Sequence, residues 1–417
     1  MDAAASDLGE RPVARCDALG AVPFSENADV LNRPYLTTSH RNALEQLKTW
    51  MTAAGMTVRL DALGNLIGRY EGRRPDAKCL LIGSHIDTVR DGGRYDGALG
   101  VMLGIECVDV LHRAERRAPF AIEVIAFGDE EGSRFPTSML CSRGLSAAPN
   151  EAALSLVDEQ GVSLRQALLD FGLDPAALGD AVREPGRVLA YVEAHIEQGP
   201  VLEAQDLALG VVTGIAAQLR LNARFRGIAG HAGTSPMGLR RDALAAAAAG
   251  VLAVEAICGR GGADLRGTVG RFRASTAAYN VIAGETEVGI DVRAGDRAAR
   301  DAAVGKIRAA FEDIARARGL VVEFVEVQDL AECLCDPRLM RLMDDAVGAV
   351  GVRPFRLLSG AGHDAMSIAA LAPVAMLFIR CERGISHNAA ERVAPRDVGL
   401  AARALVEFVE RLALENA

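Results

Sequence analysis

Four short apolar runs in this chain end on a histidine or on acids, and that repetition constrains the fold more than any single motif. Leu80-Leu81-Ile82-Gly83-Ser84 stops at His85, and Ala121 to Phe127 stops just before Asp129-Glu130-Glu131. Val188-Leu189-Ala190-Tyr191-Val192 leads to His195, and Val374 to Ile379 leads through a short loop to His387. Short runs rich in branched apolar residues read as buried strands. In open α/β sheets, ligands lie beyond the carboxyl ends of the strands. Four strand ends carrying imidazole and carboxylate therefore predict one metal site assembled from distant parts of the chain.

The rest of the chain fits that frame. From Ala28 to about Gly199 helical and strand patterns alternate, with His40 to Met51 and Gly100 to Arg113 as helices and Thr57 to Tyr70 as a strand pair turning at Gly64-Asn65. Such alternation predicts an α/β fold with a mostly parallel central sheet. From Gly214 the texture changes. Leu219 to Phe225 and Glu287 to Val292 alternate like half-exposed strands, and Asp242 to Cys258 and Arg297 to Arg318 read as helices. Two strand-helix-strand units of this kind predict an α+β domain over 214–328 that interrupts the first domain, 1–213 plus 329–417. At 417 residues, half of them hydrophobic, the chain is long enough for both cores. Ala243 to Ala249 is nearly all alanine, which suits a good helix former or a smooth face against a partner subunit.

Several function classes are disfavoured. Net charge is −9 and no basic run stands out, so neither nucleic acid nor an anionic membrane is an expected partner. No apolar stretch has the length of a bilayer span. Met1 to Glu26 lacks a basic segment followed by an apolar one, which predicts a cytoplasmic protein. The 8 cysteines have no zinc-ribbon spacing and read as buried reduced thiols. Nucleophile elbows, Walker loops and full dinucleotide fingerprints are missing from the sequence.

The densest motif runs from Gly83 to Gly97. His85 can offer a neutral ring nitrogen, and Asp87 can take its other N–H and so fix its tautomer. Asp96 follows a Gly-rich loop, and its two carboxylate oxygens suit it to bridge two cations. A lone histidine is usually a satisfied core residue, but that reading would have to repeat at His85, His195 and His387, each after an apolar run. Asp91 reads as a turn acid outside the site. Three acids in a row at the end of a buried strand repel one another, and a cation would relieve that. Glu130 and Glu131 point in different directions, so one can ligate while the other serves as general base. His231 lies in a flexible loop before a helix that Thr234 or Ser235 would cap, with Pro236 in its first turn. His363 follows Gly360-Ala361-Gly362, a loop able to turn backbone N–H groups towards an anion. His40 and His112 read as helix-surface residues.

Taken together, these residues resemble the M20-type metal-dependent amidohydrolases in their carbamoylase branch, which includes allantoate amidohydrolases, N-carbamoyl-L-amino-acid hydrolases and β-ureidopropionases. The matching pieces are Gly-Ser-His85-Ile-Asp87-Thr-Val, Gly-Gly-Arg-Tyr-Asp96-Gly, Asp-Glu130-Glu131-Gly-Ser-Arg-Phe and Glu-Ala-His195-Ile-Glu-Gln198-Gly-Pro. They continue with Gly-His231-Ala-Gly-Thr-Ser-Pro, Asn280-Val-Ile, Asp-Val-Arg293, Gly-Ala-Gly-His363-Asp364 and Ser-His387-Asn, in order along nearly the whole chain. Ala98 stands where many relatives carry proline, away from any proposed ligand.

The resemblance implies a di-metal peptidase-like catalytic domain interrupted by a lid that also forms a homodimer interface. It implies His85 and His195 on one ion, Glu131 and His387 on the other, and Asp96 bridging both. Glu130 would be the general base and His231 the oxyanion stabiliser, acting across the dimer. Gln198, Asn280 and Arg293, with backbone at Gly360, Ala361 and Gly362, would hold a substrate carboxylate. From the residues alone, Arg293 suits a strand-end ion pair equally well, and Asn280 a turn. The ions expected are Mn²⁺ or Zn²⁺, with Co²⁺ or Ni²⁺ also suited to a mixed His and carboxylate set. The activity implied is hydrolysis of a ureido or carbamoyl C–N bond in a small carboxylate, allantoate or an N-carbamoyl-L-amino acid, releasing ammonia and carbon dioxide. Two rivals stand beside it: an aminoacylase or dipeptidase of the same fold, and a metal-bound binding protein without catalysis.

Overall fold

Each of the four apolar runs is a strand in the computed structural model, which describes residues 2–75, 77–276 and 278–416. Strands β1 (Thr57–Leu60) and β2 (Leu66–Tyr70) pair antiparallel, and β3 (Cys79–His85), β4 (Ala121–Phe127), β5 (Val188–Ile196) and β6 (Leu209–Ile215) follow. The inserted segment supplies β7 (Ala217–Arg226), β8 (Gly230–His231), β9 (Arg266–Ala274), β10 (Val281–Ile282), β11 (Glu285–Ala294) and β12 (Val321–Leu330). The chain then returns with β13 (Cys333–Leu334), β14 (Arg356–Ser359) and β15 (Val374–Ile379). It folds into two compact units, one running to Thr213 and resuming at Leu334, the other spanning Gly214–Cys333. Because β12 belongs to the inserted sheet, the chain re-enters the first unit at 334 rather than at 329.

In the first unit the sheet order is β1-β2-β4-β3-β5-β15-β6-β13, with β14 also on β6. The four central strands, β4, β3, β5 and β15, run parallel, and the pairs β1/β2, β2/β4 and β15/β6 are antiparallel. β3, β4 and β15 are buried at every position, which is why they read as continuous apolar runs rather than alternating ones. Parallel pairing brings their carboxyl ends to one edge: His85 pairs with Phe127, and Phe378 with His195. The helix Ala98–Arg113 leaves that edge directly after Asp96 and packs over the sheet with most of its residues buried. Its first turn starts at Gly97 with φ +64, where an added Cβ would lie 2.4 Å from the His85 ring, so only glycine fits.

The inserted unit is an antiparallel sheet ordered β12-β7-β11-β9, and the helices Ala243–Gly259 and Arg297–Ala317 pack against it. β11 alternates in burial at every step, the mark of a sheet covered on one face. Phe225 and Phe311 stack at 5.3 Å in its core. The alanine-rich helix buries Ala243, Ala246 and Ala247 there, while Leu244 and Leu252 face outwards. Its cap is Asp242, whose carboxylate accepts from Leu244 N–H at 3.0 Å and Ala245 N–H at 3.1 Å, not Thr234 or Ser235 as expected. Pro236 instead precedes a short 3₁₀ turn, Met237–Leu239.

His40 corrects the surface reading. It is fully buried, its Nδ1 accepts from Leu36 N–H at 3.2 Å, and its ring packs edge-on to Tyr35. All 8 cysteines are buried. Among the described residues, no helix is long and apolar enough to cross a membrane.

Candidate metal centre

Asp96 is the centre around which the strand ends converge. His85, the last residue of β3, places Nδ1 3.0 Å from the backbone carbonyl of Asp87 and Nε2 3.8 Å from Asp96 Oδ1. His195, near the end of β5, places Nδ1 3.0 Å from the Ile196 carbonyl and Nε2 3.2 Å from Asp96 Oδ1. Donation from Nδ1–H to a carbonyl orients each ring and, in the neutral tautomer, leaves the Nε2 lone pair facing Asp96. Gly97 N–H pointing at His195 Nε2 from 3.3 Å agrees with that tautomer. On the other side, His387 Nε2 lies 3.0 Å from Asp96 Oδ2 and 3.4 Å from Glu131 Oε1. The two oxygens of Asp96 thus face two different ligand sets, His85 with His195 and Glu131 with His387.

Asp87 takes a second job beside the one expected. Its carboxylate accepts from Glu130 N–H at 3.0 Å and Glu131 N–H at 3.2 Å, and it lies 3.5 Å from His85 Nδ1, outside the shorter bond to the carbonyl. It therefore orients the acid pair first and the imidazole second. Burial, then the neighbouring charge of Asp96, lifts Glu131 to about 7. Burial also raises Glu130 well above the usual carboxylate range, with Glu131 and Asp364 adding to it. Asp96 goes the other way: burial alone would raise it, but its bonds to His387 and His85 hold it well below the ordinary value. Burial likewise opposes charge on His85, yet Asp87, Asp96 and the field of Glu130 outweigh it and raise that imidazole's pKa. His195 is driven down to about 4 by burial.

The remaining expected residues divide. Gln198, with φ 56, turns its Nε2 onto Asp96 Oδ2 at 3.1 Å and onto Ser386 Oγ at 3.2 Å. Its expected substrate contact is thus joined by a hold on the central carboxylate. In the 360–362 loop, Ala361 N–H donates to Ser359 Oγ at 3.2 Å, and that hydroxyl also lies 2.8 Å from His363 Nε2. On the inserted unit, β8 and β10 pair His231 with Val281, and Ala232 N–H donates to the Asn280 carbonyl at 2.9 Å, so His231 and Asn280 are neighbours. Arg293 lies along Asp291, with Nε at 2.8 Å and a terminal nitrogen at 3.2 Å, the strand-end ion pair that the residues alone equally suggested.

Three further polar groups at this edge, the buried Glu391 and Glu193 and the half-buried Ser386, were not singled out from the sequence. Glu391 accepts from Tyr95 N–H at 2.8 Å and from Asp96 N–H at 3.1 Å. Ser386 Oγ lies 2.9 Å from Glu391 Oε2 and 3.2 Å from Asp96 Oδ2. Glu193 accepts from Ser84 Oγ at 3.1 Å and Ala365 N–H at 3.0 Å, behind His195 and His363. Glu391 stands in a polar loop with no apolar run before it, and the i+2 step from Glu193 to His195 within a buried strand was the signal available for the other.

The donor set suits divalent cations. Imidazole nitrogens and carboxylate oxygens, each within 4.8 Å of the others in its group, are the mixed ligands that Mn²⁺, Zn²⁺, Co²⁺ and Ni²⁺ accept. Carboxylates whose pKa values are lifted by burial and by neighbouring acids are what added positive charge would relieve.

Comparison with known proteins agrees. The model for Peptidase family M20/M25/M40 matches residues 81–411, and the chain belongs to that family. It is 40% identical to an N-carbamoyl-L-amino acid amidohydrolase of Geobacillus stearothermophilus over 97% of this chain and 98% of that protein. It is 37% identical to an allantoate deiminase of Arabidopsis thaliana, over 97% of this chain and 82% of that one. A solved amidase of the hydantoinase/carbamoylase family from Burkholderia multivorans superposes with a TM-score of 0.90 at 32% identity, covering 97% of this chain and 98% of that one. Within the M20 family the chain is an amidohydrolase of the carbamoylase branch.

Proposed function

We propose that this protein hydrolyses the terminal carbamoyl C–N linkage of a small ureido carboxylate, an N-carbamoyl-L-amino acid or allantoate, using two divalent cations. Water adds to the carbamoyl carbon, and the products are the freed amine, ammonia and carbon dioxide. The observation that carries the reading is the division of Asp96, one oxygen towards His85 and His195 and the other towards His387. The names of the relatives above support the substrate class.

When bound, a cation pair of this kind polarises a carbonyl and makes water nucleophilic near neutral pH. The protein's own groups do the rest. Glu130, buried and with a raised pKa, takes the proton of the attacking water and returns it to the leaving nitrogen. Asp87 holds the Glu130 and Glu131 backbone so that the two side chains keep separate jobs. His231 accepts Gly233 N–H on Nδ1 at 3.1 Å, so its proton sits on Nε2, ready to donate to a developing oxyanion. Gln198, Asn280 and Arg293, with the 360–362 backbone, bind the substrate carboxylate, Arg293 sharing its fork with Asp291.

The inserted unit acts as lid and dimer interface in this reading. Outward-facing Leu244 and Leu252, 41% and 65% exposed, suit a homodimer contact. Buried cysteines spread along the chain without zinc-ribbon spacing suit a reducing compartment such as the cytoplasm.

The test is ammonia release by metal-stripped protein reloaded with Mn²⁺ or Zn²⁺ and offered allantoate, several N-carbamoyl-L-amino acids and N-acetyl controls. Metal-dependent release from the carbamoyl compounds is the expected result. Cleavage of acetyl compounds alone would move the protein to the aminoacylases, and silence on every compound would count for a binding protein.

A further inference from the structure

Glu391 is 0% exposed, lies in the loop before the helix Pro395–Glu415, and ligates nothing in the arrangement described above. Its carboxylate nevertheless makes three bonds that join two separate loops. Oε1 accepts from Tyr95 N–H at 2.8 Å and Asp96 N–H at 3.1 Å, in the loop after β3. Oε2 lies 2.9 Å from the hydroxyl of Ser386, the residue before His387 in the loop after β15. That hydroxyl is also 3.2 Å from Asp96 Oδ2 and 3.2 Å from Gln198 Nε2. β3 and β15 are not neighbours, since β5 runs between them, so no ladder hydrogen bonds set the spacing of these loops.

A second, independent feature is Gly93. A Cβ added there would lie 2.0 Å from the Glu391 carboxyl carbon. Gly93 is not among the glycines with positive φ, so its backbone does not demand glycine. What excludes a side chain is the space that the Glu391 carboxylate occupies.

We propose that Glu391 is a positioning residue that ties the Asp96 loop to the His387 loop and so fixes the separation of the two ligand sets. This deepens the two-cation reading and rests on it. Asp96 must present one oxygen to each ligand set at once, which requires its backbone and the His387 loop to be held together. A carboxylate anchored on both Tyr95 and Asp96 amides does that from behind, without occupying a coordination position. Partners one step removed from the ligands characteristically change metal affinity by about 10- to 100-fold when altered.

The experiment uses the full chain stripped of metal and titrated with Zn²⁺, with bound metal counted after desalting and ammonia release measured in parallel. Wild type should bind two ions per chain. Glu391→Ala should bind the ion at His85 and His195 normally and the other about 10- to 100-fold more weakly, with kcat falling and KM little changed. Gly93→Ala, whose added methyl would take the space of the same carboxylate, should reproduce that loss. Glu391→Gln keeps an oxygen for both amides and an N–H for Ser386, and should restore binding of both ions. If Glu391→Ala does not fold, Gly93→Ala and Glu391→Gln carry the same contrast. Wild-type affinity for both ions in Glu391→Ala or Gly93→Ala would overturn the proposal, as would a Glu391→Gln protein no better than Glu391→Ala, or a wild type holding a single ion. A wild type that binds two ions yet releases ammonia from no carbamoyl compound would overturn the proposed function and leave this inference standing on the metal counts.

Discussion

His85 and His195 are carried on buried parallel strands, each 2% exposed, with Nδ1 tied to a backbone carbonyl close in sequence. Glu131 and His387 hang on loops beyond the strand ends, and the His387 side chain is 50% exposed. His387 also holds φ 53, a left-handed conformation that a non-glycine residue keeps only when its surroundings over-determine it. One half of the candidate centre is therefore preformed by the sheet, while the other depends on contacts between loops: Ser386, Glu391, Gln198 and the Asp87 carboxylate. A site divided in this way should hold one ion more tightly than the other, and the looser half is where neighbouring residues control occupancy.

Glu130→Gln should reduce ammonia release by about 10²- to 10⁴-fold while both ions remain, since it removes proton transfer and no ligand. Metal lost along with activity would instead make Glu130 a ligand and erase the division of roles between the two glutamates. Asp87→Asn should weaken activity by about 10- to 100-fold, because an amide N–H would face the backbone N–H of Glu130 or Glu131 in place of an acceptor. His195→Ala and His387→Ala separate the two halves directly. After dialysis against graded metal, the first should lose the tighter ion and the second only the weaker one. Equal losses would show that the two halves are not thermodynamically distinct.

His40 offers a comparison away from the centre. Burial lowers its pKa to about 3, against about 6.5 in an unfolded chain. The unfolded state therefore binds the proton first as pH falls, so this contribution to stability is complete above about pH 6.5 and declines down to about pH 3. The slope is about 1.4 kcal/mol per pH unit within that window, and urea midpoints between pH 7 and pH 5 would measure it. His40→Gln should flatten it, and an unchanged slope would assign acid sensitivity to the metal centre instead.

Much of the first unit was legible because burial on both faces leaves a strong trace. β3, β4, β5 and β15 are mostly apolar and buried along nearly their whole length, and side chains placed at their ends inherit the shared edge of a parallel sheet. The inserted strand β11 was legible for the related reason that its periodicity matches one covered face. Partner choice was not. Asp87 was expected on an imidazole and is bonded to backbone N–H groups 43 and 44 residues away. The hold of Gln198 on Asp96 was not anticipated beside its expected substrate contact, and His40 was expected in solvent and is buried against Tyr35.

By itself the sequence determined the strands, the order in which their ends deliver His85, Glu130, Glu131, His195 and His387, and the family those motifs mark. Only the tertiary structure decided that Asp87 bonds the backbone of the acid pair and that Glu391, 295 residues beyond Asp96, holds that carboxylate's loop from behind. Periodicity and local motifs record which face of an element is buried. Hydrogen bonds between distant loops leave no period in the chain, so their partners are settled only when the sheet brings the loops together.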